Sequence, residues 1–205
     1  MSTAPERESI FAKAIEEHQA VVGQVAAQLP VLEAIAVAMS ATLKAGGKIL
    51  WCGNGGSAAD SQHLAAEIVG RFRRERRGLP SVALTVDTSI LTSVANDYGF
   101  ERVFSRQVEA LGVRGDLLVG ISTSGNSPNV VAAIEAARAQ GLVTVGFTGA
   151  GGGRIAALAD HLFAVPARDT ARIQEAHILA GHMLCDWIEQ DSISEAGAGL
   201  AGEAR

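Results

Sequence analysis

The apolar positions of this chain follow two different rhythms. Over residues 6–29, Ile10, Ala14, Val21, Val22, Val25 and Leu29 recur mostly at three-, four- and seven-residue intervals among Glu, Lys and Gln, the spacing that lines one face of an α-helix. Pro30 reads as its end, and a second helix over 31–45 stops at Gly46-Gly47, where glycine favours a C-terminal turn. Five short runs follow, at 48–52, 81–86, 116–122, 142–148 and 161–165, each apolar throughout much of its length, as strands buried on both faces are. Helical segments are predicted at 57–71, 89–95, 101–111, 127–140, 154–158 and 171–190. Repeated strand–helix units predict an α/β fold, a doubly wound five-stranded parallel sheet with helices on both faces. The two helices ahead of the first strand stand outside any crossover, so residues 1–46 are expected to pack in an oligomer. Residues 47–191 form the sheet domain, and 192–205 (SISEAGAGLAGEAR) read as a disordered tail.

In such a sheet ligands sit at the carboxyl ends of the strands, so the loops beginning at Gly53, Asp87, Ser122 and Thr148 open on one edge. The first belongs to WCGNGGSAADSQHLAAE, residues 51–67. Gly53, Asn54, Gly55 and Gly56 make a turn that lets a ligand approach the backbone, and Ser57 opens a helix whose N–H groups and dipole favour an anion. The second is Ser122-Thr123-Ser124-Gly125-Asn126-Ser127, with Pro128 in the first helical turn. Alone it reads as an ordinary turn with Ser127 as helix cap. Two such loops on one edge point to a phosphorylated small molecule. Neither GxxxxGK[ST] nor GxGxxG occurs, which sets aside the corresponding nucleotide sites.

His63 and Glu67 lie four residues apart, one above the other on a helix face, a pair able to bind a metal, move a proton, or both. Without Glu67, His63 would read as a satisfied core histidine. On the last helix, His177 and His182 are about 140° apart around the axis, so His177 reads as structural. Gln174 and His182 are about 12 Å apart along the axis. That is long for one metal unless Gln174 sits in the first turn or the ligands come from different subunits.

Composition narrows the picture. The 205 residues carry 22 acidic and 17 basic side chains, net −5, with 4% aromatics, a single-domain length with no nucleic-acid footprint. The exception is Arg71 to Arg77, RFRRERR, an anion patch or, in so acidic a chain, a solvated loop or substrate-facing rim. Cys52 and Cys185 have no CxxC spacing, so neither a disulfide framework nor a cysteine metal site is indicated. No export signal and no uncharged apolar run near 18 residues is found, so a cytoplasmic protein without a membrane partner is expected.

CGNGGSAADSQHLAAE, VANDYGF, GISTSGNSPNV and ARIQEAH together resemble the phosphoheptose isomerases, or sedoheptulose 7-phosphate isomerases, of the sugar isomerase (SIS) domain superfamily, over about residues 11–188. The resemblance implies the flavodoxin-like five-stranded SIS sheet and a cytosolic homotetramer with active sites near subunit interfaces. It also implies conversion of D-sedoheptulose 7-phosphate to D-glycero-D-manno-heptose 7-phosphate for bacterial heptose biosynthesis. By it, His63, Glu67, Gln174 and His182 match the ligands of one zinc ion per subunit, and Glu67 and His182 the proton-transfer pair. Asn54, Gly55, Gly56, Ser57, Glu67, Arg71, Asn96, Asp97, Ser122, Thr123, Ser124, Ser127 and Gln174 match substrate contacts. Asp169 is displaced by two positions from an aspartate of some family members, and no role is assigned to it. The same superfamily holds non-catalytic tetramers that associate with the replication initiator, and isomerases of other sugar phosphates. The initiator-associated proteins lack the glutamate and late histidine present here as Glu67 and His182, and the HxxxE pair with VANDYGF argues against another sugar phosphate.

Overall fold

A computed structural model describes residues 4–202, with side chains described from 9 to 194. The elements are α1 (Ala4–Val25), α2 (Leu29–Lys44), β1 (Ile49–Gly53), α3 (Gly56–Val69), β2 (Ser81–Ala83), α4 (Thr88–Tyr98), α5 (Ser105–Leu111), β3 (Leu117–Ser122), α6 (Pro128–Gln140), β4 (Val143–Thr148), β5 (His161–Ala164) and α7 (Thr170–Gly202). All strand pairs are parallel, in the order β2-β1-β3-β4-β5. The chain therefore reverses its winding between β1 and β3, and the crevice at their carboxyl ends is where such a sheet takes its ligand.

Alternation along the strands divides the core into two layers. Ile49, Trp51, Val119 and Phe147 face α2, α3 and α7, whereas Leu50, Cys52 and Leu118 face α5 and α6. β1 and β3 are buried at every position, which is why they read as unbroken apolar runs. The edge strand β2 is shorter than the predicted 81–86. It pairs only with β1, its last ladder bond runs from Leu84 N–H to the Trp51 carbonyl at 2.9 Å, and the chain then leaves the sheet for Asp87, whose carboxylate caps α4 at Ile90 N–H.

Pro30 opens α2 rather than ending the first helix. It occupies the first turn, where its missing N–H costs nothing, and a 3₁₀ turn at Ala26–Gln28 joins the two helices. Residues 9–44 are long and apolar enough, by length and composition alone, to cross a membrane. In this fold one face of α2 packs into the core, Ile35 and Met39 being fully buried, while Val37 is exposed. The predicted helix at 154–158 is a 3₁₀ turn, Gly153–Ala157. Backbone helix continues to Gly202 where the sequence reading has a disordered tail from 192. Ser192 and Ser194 donate their hydroxyls to the Glu189 and Gln190 carbonyls within it, and residues 203–205 lie outside those described.

Candidate active site

β1 delivers the chain into a turn at Asn54-Gly55, where Gly55 has φ +56° and ψ −121°, a conformation open to glycine. α3 starts there and directs its positive end to the crevice. Across it, β3 ends at Ser122, whose Oγ lies 2.8 Å from Ser127 Oγ and 3.4 Å from Ser124 Oγ. Three hydroxyls thus converge in the loop where phosphate was expected. Two amides lock the loops together. Asn54 Nδ2 donates to Asn129 Oδ1 at 2.9 Å and Asn129 Nδ2 donates to Asn54 Oδ1 at 2.8 Å. Gln174, in the opening turns of α7, closes the crevice from above the turn: a Cβ on Gly56 would come within 2.6 Å of its Nε2. The structure therefore groups Gln174 with the glycine turn.

A second cluster stands further along the same two helices. His63 Nε2 lies 2.8 Å from His182 Nε2 and 3.5 Å from Glu67 Oε1. α3 and α7 approach this closely because residue 181 is glycine; a Cβ there would meet Leu64 Cδ1 at 2.6 Å. Phe72 stacks on the His182 ring with centroids 5.3 Å apart and planes at 27°. Partial burial holds the His182 imidazole below its ordinary pKa, reinforced by His63 and Arg73 and opposed by Glu67. Two imidazoles and a carboxylate are donor types that zinc prefers, and His63 is in contact with both of the others. Among the described residues of one chain no group of three or more His, Cys, Asp and Glu is placed so that it could hold a metal ion.

The other candidates are dispersed. Thr123 is half-buried and its carbonyl accepts from Gly149 N–H. Asn96 and Asp97 are exposed on α4 and bonded to each other at 2.8 Å. Arg71 is exposed, with its Nε 3.7 Å from Glu75. Three arginines of the rest of the cluster are tied to the fold rather than freely solvated. Arg73 and Arg74 pair with Asp186 at 3.2 and 2.6 Å, and Arg76 donates to the Gly70 and Glu67 carbonyls at 2.8 Å, satisfying the end of α3. In the RIQE run, Arg172 and Glu175 hold α1: Glu175 meets His18 at 2.8 Å and Arg172 reaches the Ala14 carbonyl at 3.2 Å. Only Gln174 of that run faces the crevice. Asp169 accepts from Ala171 and Arg172 N–H and caps α7. His177 is buried, as expected of a structural residue, and lies 3.0 Å from the Thr148 carbonyl. Sequence reasoning missed Asn129, Phe72 and Glu189.

The SIS domain family matches residues 11–149, which span the glycine turn, the serine loop and the His63–Glu67 pair. The phosphoheptose isomerase of Roseiflexus sp. (strain RS-1) is 58% identical over 168 residues, covering 82% of this chain and 85% of that one. The chain belongs to the phosphoheptose isomerase family. A second phosphoheptose isomerase, from Trichlorobacter lovleyi, is 55% identical over 89% of this chain and 94% of its own, so the likeness continues into α7. Among solved structures, the phosphoheptose isomerase GmhA from Neisseria gonorrhoeae superposes with TM-score 0.82 at 48% identity, covering 92% of this chain and all of that one. A phosphoheptose isomerase from Francisella tularensis gives 0.84 at 37% over 93%. The observed sheet is thus the phosphoheptose isomerase sheet, with both clusters on its carboxyl side.

Proposed function

We propose that this protein interconverts D-sedoheptulose 7-phosphate and D-glycero-D-manno-heptose 7-phosphate in the cytoplasm, for heptose biosynthesis. The observation that carries the reading is that α3 and α7, with the serine loop between β3 and α6, present a phosphate station (the Gly55 turn, the serine loop and Gln174) and a proton-transfer station (Glu67, His63 and His182). An aldose–ketose isomerisation needs a base to take a proton beside the carbonyl, and an acid to protonate the oxygen of the resulting enediolate. Glu67 is the base and His182 the acid, with His63 holding the His182 nitrogen in place. A zinc ion, when bound, supplies a Lewis acid for the developing oxyanion. His63, Glu67 and His182 would contribute to holding it; Gln174, the fourth donor of the family resemblance, stands at the glycine turn of its own chain and would have to come from another subunit.

The two stations also support an oligomer. Gly56 and Glu67 are separated by about 16 Å of helix rise. We read one chain's phosphate station as serving the proton-transfer station of another, in a homotetramer with sites near its interfaces. The exposed apolar side chains Phe11 and Ile15 on α1, Val37 on α2, and Met183 and Trp187 on α7 supply surface for that contact. The deciding experiment is an NMR or coupled assay for aldoheptose formation from sedoheptulose 7-phosphate, with fructose 6-phosphate and ribulose 5-phosphate in parallel. Turnover of either shorter sugar in preference to the heptulose would overturn the substrate assignment. Absence of turnover on all three would favour a binding role.

A further inference from the structure

Glu189 is a carboxylate with no exposed surface, and it bonds to backbone. Its Oε2 accepts from Phe72 N–H at 2.8 Å, and its Oε1 from Arg73 and Arg74 N–H at 2.8 and 2.5 Å. Bonds of this kind, to an ionised acceptor, are the strong ones. The segment they hold, between α3 and β2, has no helix or strand of its own, so its conformation depends on anchors. His182 and Glu189 are seven residues apart, within about 20° of the same face of α7. The segment is laid along that face, and Phe72 is the residue that reaches back to His182. Its ring covers the imidazole, and the Arg73 guanidinium lies 5.0 Å from the Phe72 centroid. Among the described residues the only hydrogen-bond partner of the His182 ring is His63. Rotation of an imidazole about its terminal torsion is soft, and a stacked neighbour is what fixes its plane.

We propose that Glu189 and Phe72 are positioning residues for proton transfer: Glu189 sets the backbone of Phe72, and the Phe72 ring sets the plane of His182. Neither touches the sugar. The proposal rests on His182 being the acid of the isomerisation, and its test is built to separate the two ideas.

Three variants decide it: Phe72→Leu, which keeps bulk and loses the ring; Phe72→Tyr, which keeps the ring; and Glu189→Gln, which keeps the shape but turns a donor toward the Phe72 N–H. Phe72→Leu should lower kcat by about tenfold or more and leave KM within about threefold, because the phosphate station is untouched. Phe72→Tyr should return kcat to within about threefold of the parent, and Glu189→Gln should reproduce the leucine variant. In protein labelled with ¹³C at histidine Cε1, the His182 signal should move in Phe72→Leu and move in the same direction in Glu189→Gln, although Glu189 does not touch that ring. A wild-type kcat in Phe72→Leu, or a His182 signal unmoved by Glu189→Gln, overturns the proposal. Should the Glu189 variant not fold, the two Phe72 variants decide alone. If the parent protein turns over no sugar phosphate, the functional reading falls, while the histidine signals still report whether Glu189 acts on His182 through Phe72.

Discussion

Asn54 and Asn129, 75 residues apart in sequence, exchange both of their amide hydrogen bonds across the crevice, at 2.9 and 2.8 Å. Asn54 belongs to the glycine turn after β1 and Asn129 to the first turn of α6 after the serine loop. The pair therefore fixes the spacing of the two loops expected to share one phosphate.

Asn129→Ala deletes both bonds and leaves the half-buried Asn54 amide without its partner. Two net hydrogen bonds are worth about 1–3 kcal/mol, and they act on phosphate binding rather than on proton transfer. KM for the sugar phosphate should rise by about tenfold with kcat within about threefold, measured by steady-state kinetics. A drop in kcat at unchanged KM would place the pair in the chemical step.

His177 predicts a pH dependence of stability. Burial lowers its pKa from 6.5 to about 4, partly offset by the bond to the Thr148 carbonyl. Nδ1 is buried without a partner, so protonation would put an unsatisfied N–H beside Phe147 and Phe163. Between pH 6.5 and about 4 the unfolded chain takes up a proton that the folded chain refuses. Stability contributed by the neutral ring is complete above 6.5 and falls with pH through that window, by on the order of 3 kcal/mol in all. His177→Gln keeps a donor for Thr148 and has no such titration. Its melting temperature should fall less steeply than the parent's over that window, and parallel curves would refute the assignment.

The fold was legible where one rule governed. β1 and β3 are buried on both faces and so had to be apolar throughout, whereas β2 lost its last residues because an edge strand keeps only the ladder its one neighbour offers. Pro30 carried two opposite meanings, a helix end and a favoured first residue, and the alternation of apolar residues does not choose between them. At the site, His63 and Glu67 were visible because helical spacing alone joins them. The nearness of His182 is a tertiary fact: 119 residues separate it from His63, and only the family resemblance linked them beforehand. Glu189 reads in sequence as a helix-surface carboxylate. Its one signal is its place seven residues after His182 in a chain with an arginine-rich segment seeking anchors. Asn129 gave less still, since an asparagine after Ser-Pro is ordinary at the start of a helix.

Subunit mixing tests whether sites are shared. Glu67→Gln damages only the proton-transfer station and Ser122→Ala only the phosphate station, each being nearly silent alone at low substrate. If one chain's phosphate station serves another's proton-transfer station, co-expressed chains form some sites that carry neither substitution, and the mixed oligomer should exceed the summed activity of the two pure variants several-fold. If each chain holds a whole site, the mixture gives no more than that sum. Light scattering on the same samples should report a tetramer, and an active monomer at micromolar concentration would end the shared-site reading.

The base is the last assignment to test. Glu67→Gln preserves shape and hydrogen bonding but removes the charge a base requires, so turnover should fall by about a thousandfold with substrate affinity within a few fold. His63→Ala differs in kind: with His63 as a metal ligand beside Glu67, it should lower zinc content on metal analysis first, and activity only as far as the metal matters. Overall turnover cannot separate proton abstraction from product release, whereas exchange of solvent deuterium into C1 and C2 of the sugar can. Exchange should vanish in Glu67→Gln and be strongly slowed in His182→Ala, whose loss removes the protonation of oxygen that carries the enediolate forward. Persistent exchange in Glu67→Gln would move the base to another residue. Exchange at the parent rate in both variants would remove the isomerase chemistry from this cluster altogether, leaving the serine loop and glycine turn as a sugar-phosphate binding site.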